Sequence, residues 1–223
     1  MNVEIINEAK SRSAEISNSI LNWGEKNLRS FPWRKNPDPY RILIAEILLK
    51  RTTATAVNRI YNEFIGLYPD LKALAKANID ELEDFLQTIG YHKQRSKILK
   101  KISRVILNEY NAEIPSDFDS LIAIPNIGPY TAGAVLSLGY GIRAAMVDSN
   151  VLRIYKRVFF KSLPNKAVNN VINKVAKIIL PQKRHAKFNL ALLDLGGLIC
   201  TYRNTHCLKC PIRNFCDSSS IKK

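Results

Sequence analysis

The sequence predicts an all-α protein, and three observations carry that expectation. Apolar residues recur at spacings of three and four along nearly the whole chain, alternating strand patterns are scarce, and the interruptions are short clusters of Pro, Gly and Asn. Together they describe about ten helices separated by tight turns.

The elements follow in order. Ile5, Ile6 and Ala9, then Ile16, Ile20 and Trp23, put one apolar stripe on an N-terminal helix. Phe31-Pro32-Trp33-Arg34 through Asn36-Pro37-Asp38-Pro39 breaks it, because proline lacks the N–H donor and restrains the residue before it. Ile42 to Leu49, Val57 to Tyr68 and Ile98 to Leu107 resume the helical period, and Ile114-Pro115-Ser116 ends it again. Leu121 to Val135 reads as two helical stretches joined at Pro125-Asn126-Ile127-Gly128-Pro129, where Asn126 and Gly128 tolerate left-handed dihedrals. A short apolar run ends at Asp148, where a further helix begins. Leu163-Pro164-Asn165 separates it from Val168 to Leu180, and Phe188 to Cys200 forms the last helix. No repeat of fixed period and no long low-complexity linker interrupts the series.

Composition narrows the function. A chain of 223 residues buries a core without a disulfide framework. With 34 Lys and Arg against 19 Asp and Glu, its formal charge of +15 points to a polyanionic partner, nucleic acid first. The hydrophobic fraction of 46% excludes a disordered or fibrous chain. The first residues lack a basic-then-apolar signal pattern, and no apolar run reaches membrane-spanning length. The expectation is a soluble, intracellular monomer without a membrane partner, cytoplasmic and associated with the nucleoid if the cell is prokaryotic.

Four segments carry chemistry. Cys200, Cys207, Cys210 and Cys216 crowd the C-terminal end, and reducing cytosol favours a metal or cluster over disulfides. Four thiolates can enclose zinc or a four-iron cluster; a single C-x2-C with asymmetric flanking gaps favours iron and sulfur. The hairpin at Asn126 and Gly128 opens a helix whose N–H groups point outward, a ready phosphate site as well as an ordinary corner. Asp148 is a good helix N-cap and, equally, a carboxylate at the lip of a basic cleft. Glu46 lies in a run so apolar that burial is expected to raise its pKa, leaving it either a proton donor or the partner of an arginine such as Arg41 or Arg95. Asp194, alone in an apolar helix, reads as a buried acid satisfied by backbone N–H groups.

The hairpin Ile124 to Thr131, Asp148, the helix Phe188 to Cys200 and the cysteine spacing together resemble the helix-hairpin-helix DNA glycosylases of the endonuclease III superfamily. The resemblance runs from Leu28 to Cys216. It implies a two-domain fold: a six-helix barrel with the helix-hairpin-helix over residues 30–141, and a discontinuous helical domain of residues 1–29 and 142–223 that carries a [4Fe-4S] loop. DNA would lie in a cleft between them. Cys200, Cys207, Cys210 and Cys216 would ligate the cluster.

Within that superfamily, bifunctional members place a lysine where this chain has Tyr130, and without that amine no Schiff base forms there. Phe31-Pro32-Trp33-Arg34 and Glu46 to Thr52 resemble the mismatch-directed branches. MutY-type adenine glycosylases usually carry Ser at the hairpin position and a large C-terminal domain, which is not expected here because the sequence ends at Lys223. Tyr130, Arg51-Thr52-Thr53-Ala54 and Ala144 to Asp148 look closer to the archaeal thymine–DNA mismatch glycosylases. The family hairpin usually has Gly where this chain has Asn126.

The resemblance implies removal of mismatched thymine or uracil opposite guanine in double-stranded DNA, with adenine excision or non-catalytic DNA binding as alternatives. Asp148 would stabilise the sugar cation, while Glu46 and Tyr130 contact the departing base. Lys50, Arg51 and the Ile89-Gly90-Tyr91 loop would fill the gap left in the duplex. Asn126, Gly128 and Thr131 would hold the phosphate.

Overall fold

A computed structural model describes residues 2–160 and 165–219. The described residues form twelve α-helices and no β-strand; an isolated antiparallel bridge joins Cys200 to Thr205. No described helix is long and apolar enough to cross a membrane. The break expected at Leu163-Pro164 lies outside the described residues.

The chain divides into two compact units, Ser30–Ile142 and the combination of Met1–Arg29 with Arg143–Lys223. The first contains α2 (Pro32–Lys35), α3 (Pro39–Leu48), α4 (Ala54–Leu67), α5 (Leu71–Lys76), α6 (Ile79–Leu86), α7 (His92–Glu109), α8 (Phe118–Ala123) and α9 (Pro129–Ala134). Its starts are written in short polar residues. Asp38, Thr53, Asp70, Asn78 and Asp117 each accept a hydrogen bond from a backbone N–H in the first turn of α3, α4, α5, α6 and α8. The starts of α7, at Tyr91, and of α9, at Gly128, lack any such side-chain cap.

Helix α3 is the axis of this unit. All residues from Ile42 to Leu48 are buried, so it is apolar on every face and must be covered on every face. It packs against α4, α7, α9 and a π-helical turn, Val135–Gly139, that continues α9. Gly139 is required there, because a Cβ would stand 2.8 Å from the Cα of Pro39. The long α7 lies against α5 and α6, and Lys100 closes the end of α5 by donating to the carbonyls of Ala75 and Ala77.

The second unit packs α1 (Asn2–Asn27), α10 (Ser149–Phe159), α11 (Asn165–Ile179) and α12 (His185–Leu198) around one core. Ile16, Ile20, Val151, Ile154, Tyr155, Ile172, Val175, Phe188, Leu192 and Leu195 are buried in it. Each buried large side chain contributes about 1.5–3 kcal/mol. Asp194 has no exposed side-chain surface; its carboxylate accepts from the Arg29 backbone N–H at 2.8 Å and from the Arg29 Nε at 2.7 Å. A side-chain cation therefore joins the backbone donor expected from the sequence.

Close helix approach is the limiting feature of this core. A Cβ on Gly196 would stand 2.6 Å from the Cβ of Asn150, so α12 and α10 touch where no side chain fits. Gly196→Ala is expected to lower stability by about 1–3 kcal/mol through this overlap, measurable by urea denaturation.

Candidate active site

The first cluster of candidate residues stands in the Ser30–Ile142 unit. Glu46 is buried at 8% exposure on α3, and its Oε1 accepts a hydrogen bond from the Tyr130 hydroxyl at 3.5 Å. Tyr130 stands in the first turn of α9, so the hairpin brings a phenol to a carboxylate 84 residues earlier in the chain. One turn after Glu46, the Lys50 Nζ donates to the carbonyl of Asn126 at 2.6 Å. Burial lowers the Lys50 pKa, and the Glu46 charge opposes that shift. Carboxylate, phenol and ammonium thus meet at the hairpin.

The neighbouring loops carry unusual backbone. Arg51 has φ 58°, Tyr91 φ 56° and Asn126 φ 70°, all left-handed, and Gly90 has φ 70°. Arg51, Gly90 and Asn126 are exposed, and Tyr91 is 45% exposed. The Arg51 guanidinium lies 5.3 Å from the centre of the Tyr91 ring, within cation–π reach. Gly128 precedes Pro129 at the opening of α9. Thr131 and Ile89, also predicted to face DNA, are buried at 4% and 8% exposure.

Neither arginine weighed as a partner for Glu46 is committed to it by its hydrogen bonds. Arg41 pairs with Asp38 at 3.4 Å. Arg95, 1% exposed, donates from Nε to the Ile47 carbonyl at 3.4 Å and from Nη2 to the Lys50 carbonyl and to Thr52 Oγ1, both at 2.8 Å. Its Nη1 donates to the Gly90 carbonyl. Burial lowers its pKa, with Tyr91 acting in the opposite direction. A signal for its burial was present in the sequence: Arg95 falls in phase with Ile98, Leu99 and Ile102.

The second cluster belongs to the other unit. Asp148 is the N-cap of α10, its Oδ1 accepting from the Val151 N–H at 2.8 Å. Its Oδ2 accepts from Asn150 Nδ2 at 2.8 Å, and Asn150 Oδ1 accepts from Arg153 Nη2 at 2.9 Å. Arg153 continues to the carbonyls of Cys200 at 2.9 Å and Gly196 at 2.8 Å. The cap leaves this carboxylate half-buried and fixed in direction.

Cys200, Cys207, Cys210 and Cys216 line one cavity of roughly 230 Å³, together with Arg157, Arg203 and Arg213. Arg157 Nη1 donates to Cys200 Sγ at 3.2 Å and to the Thr201 carbonyl at 2.7 Å. Burial pushes the Cys210 thiol up to about 11 and raises that of Cys216. Among the described residues, no group of three or more His, Cys, Asp or Glu side chains is placed to hold a metal ion. Four thiols on one cavity are a donor set for either zinc or a four-iron cluster.

Comparison with known proteins identifies the family. Residues 44–184 match the HhH-GPD superfamily base excision DNA repair protein family. The chain is 36% identical over 208 residues to a thymine/uracil-DNA glycosylase of Methanothermobacter thermautotrophicus, covering 93% of this chain and 94% of that protein. An adenine DNA glycosylase of Buchnera aphidicola subsp. Baizongia pistaciae is 32% identical, and the match spans 57% of its length. A solved thermostable thymine-DNA glycosylase superposes with a TM-score of 0.88 at 33% identity, over 94% of this chain and 97% of that one.

The left-handed hairpin residue gives a direct test of local geometry. Asn126→Val is expected to destabilise by about 1–3 kcal/mol in chemical denaturation, because a β-branched residue resists φ 70°. Asn126→Gly adopts that dihedral freely and is expected to show no such loss.

Proposed function

Because the chain belongs to the HhH-GPD superfamily of base excision DNA repair proteins, we propose that it is a monofunctional DNA glycosylase that removes thymine or uracil mispaired with guanine and leaves an abasic site. The observation that carries this reading is the buried Glu46 carboxylate meeting Tyr130 on the hairpin. Bifunctional relatives have an amine at that hairpin position, and here a phenol stands there instead.

A base stacked in a duplex is out of reach, so the nucleotide must rotate out, and a mispaired thymine costs less to extract than a paired one. Arg51 and Tyr91, exposed on adjoining loops, occupy the vacated space. The uncapped start of α9 at Gly128 receives a backbone phosphate.

Breaking the N-glycosidic bond leaves positive charge on the sugar and negative charge on the departing pyrimidine. Asp148, fixed by Val151 and Asn150, stabilises the sugar cation and directs the attacking water. Glu46 and Tyr130 hydrogen-bond to the departing base. Thymine lacks the basic ring nitrogens of adenine, so a proton donor contributes less here than it does to adenine release.

Cys200, Cys207, Cys210 and Cys216, which line one cavity, are the donor set that would hold a [4Fe-4S] cluster. When bound, such a cluster ties the C-terminal loop together and lends it charge. Arg203 and Arg213 then face DNA phosphates from that loop.

Asp148→Asn is expected to slow single-turnover thymine release from a G·T duplex by about 10²-fold or more, with mismatch affinity held within about threefold. Equal loss of binding and release would refute the role. Duplexes carrying G·U and A·8-oxoguanine, with alkali added to break abasic sites, separate thymine and uracil activity from adenine activity. Anaerobically purified protein is expected to be yellow-brown and Cys210→Ser to be colourless. Colourless native protein with stoichiometric zinc would overturn the cluster.

A further inference from the structure

We infer that Arg95 is a positioning residue, which locks the turn after α3 and the loop before α7 in the arrangement that presents Arg51 and Tyr91 to the duplex. This rests on the preceding reading that those loops engage DNA, and it explains how they are held.

The physical case begins with burial. A guanidinium 1% exposed is costly unless each of its N–H groups is answered, and an apolar side chain of similar volume would fill the same core space without that penalty. What the guanidinium supplies is directionality. Its Nε, Nη1 and Nη2 reach Ile47 at the end of α3, Gly90 in the loop, and Lys50 with Thr52 in the turn. Thr52 Oγ1 also donates to the Ile89 carbonyl at 3.1 Å, giving turn and loop a second connection. Lys50, whose carbonyl Arg95 holds, reaches Asn126 in the hairpin with its own ammonium.

Left-handed backbone is found at the same place. Arg51 and Tyr91 are bulky residues in left-handed conformation, held there by surrounding bonds, and Asn126 adopts the same region, which Asn tolerates. They belong to three segments distant in sequence, and the Arg95, Thr52 and Lys50 bonds connect all three. The exposed Tyr91 ring has the Arg51 guanidinium 5.3 Å and that of Arg95 5.9 Å from its centre. A side chain that must enter a duplex as a base leaves is useful only at one position, and an error of about 1 Å can cost about 10²-fold in rate.

The test uses a G·T duplex with 2-aminopurine beside the thymine, whose fluorescence rises on extrusion, together with single-turnover thymine release and affinity for matched duplex. Arg95→Lys is expected to lower extrusion and release by about 10-fold or more while matched-duplex affinity stays within about twofold. Thr52→Val retains the guanidinium and removes the second connection; it is expected to lower both by about threefold. Adding Arg51→Ala to Thr52→Val should cost less than the product of the two separate losses, because both act through one arrangement. If Arg95→Lys does not fold, Thr52→Val carries the test alone.

A variant that melts at lower temperature yet extrudes and releases thymine at the native rate would overturn the inference, leaving Arg95 a support of the fold. So would matched-duplex affinity falling in parallel with extrusion. Native protein that releases neither thymine nor uracil would refute the proposed reaction instead. The fluorescence response of native and variant proteins would still decide the role of Arg95.

Discussion

A buried positive charge must be answered atom by atom, and in the Ser30–Ile142 unit the guanidinium of Arg95 meets that demand by drawing separate chain segments to itself. The carbonyls it holds belong to the end of α3, the turn that follows and the loop before α7. Helix α3 in turn carries Glu46, and the turn carries Lys50, whose ammonium reaches the hairpin. The turn after α3 and the loop that carries the exposed aromatic ring are therefore joined through one core interaction. Apolar packing alone would hold α3 in place, but it is non-directional and would leave the turns beyond its end free to choose other conformations.

The other unit solves a similar problem with a chain of neutral and charged hydrogen bonds. Asp148 begins α10 as its cap, and the cap geometry turns the second carboxylate oxygen toward Asn150. Arg153, one turn on, joins Asn150 to the carbonyls of Gly196 and Cys200, so the acid and the first cysteine share a hydrogen-bonded frame. Asp148 is thus a helix cap through one oxygen, while its other oxygen is held by Asn150. Gly196 permits this frame by letting α12 approach α10 at a distance that a Cβ would forbid.

Much of the architecture was legible along the chain. The helical period identified the main helices, and Asp148, expected as a cap, caps α10; Asp38, Asp70 and Asp117 cap further helices whose starts the apolar period alone did not mark. The apolar run around Glu46 signalled burial, which is a local property of a helix that is hydrophobic all round. Exposure was less legible. Ile89 and Thr131 were read with their exposed neighbours as DNA-facing, yet both are buried; their placement depends on which way each turn faces, and that is set by what packs against it. The burial of Arg95 is written in its phase with Ile98, Leu99 and Ile102, but its partners are carbonyls and a hydroxyl rather than Glu46, for which Arg41 or Arg95 stood as an alternative partner.

By itself the sequence determined the all-α class, the start of α10 at Asp148, the hairpin with its left-handed Asn126, and the clustering of four thiols, whereas Gly128, also expected to need a permissive backbone, is extended at φ −96°. Periodicity, capping and turn chemistry operate over a few residues and leave their mark in order along the chain. Only the tertiary structure decided that Tyr130 meets Glu46, that Lys50 reaches Asn126, that Arg95 binds a turn to a loop, and that the four thiols share one cavity with Arg157. Those contacts join residues brought near each other by helix packing, and their distances follow from where Pro39 meets Gly139 or Asn150 meets Gly196 rather than from any spacing in the sequence.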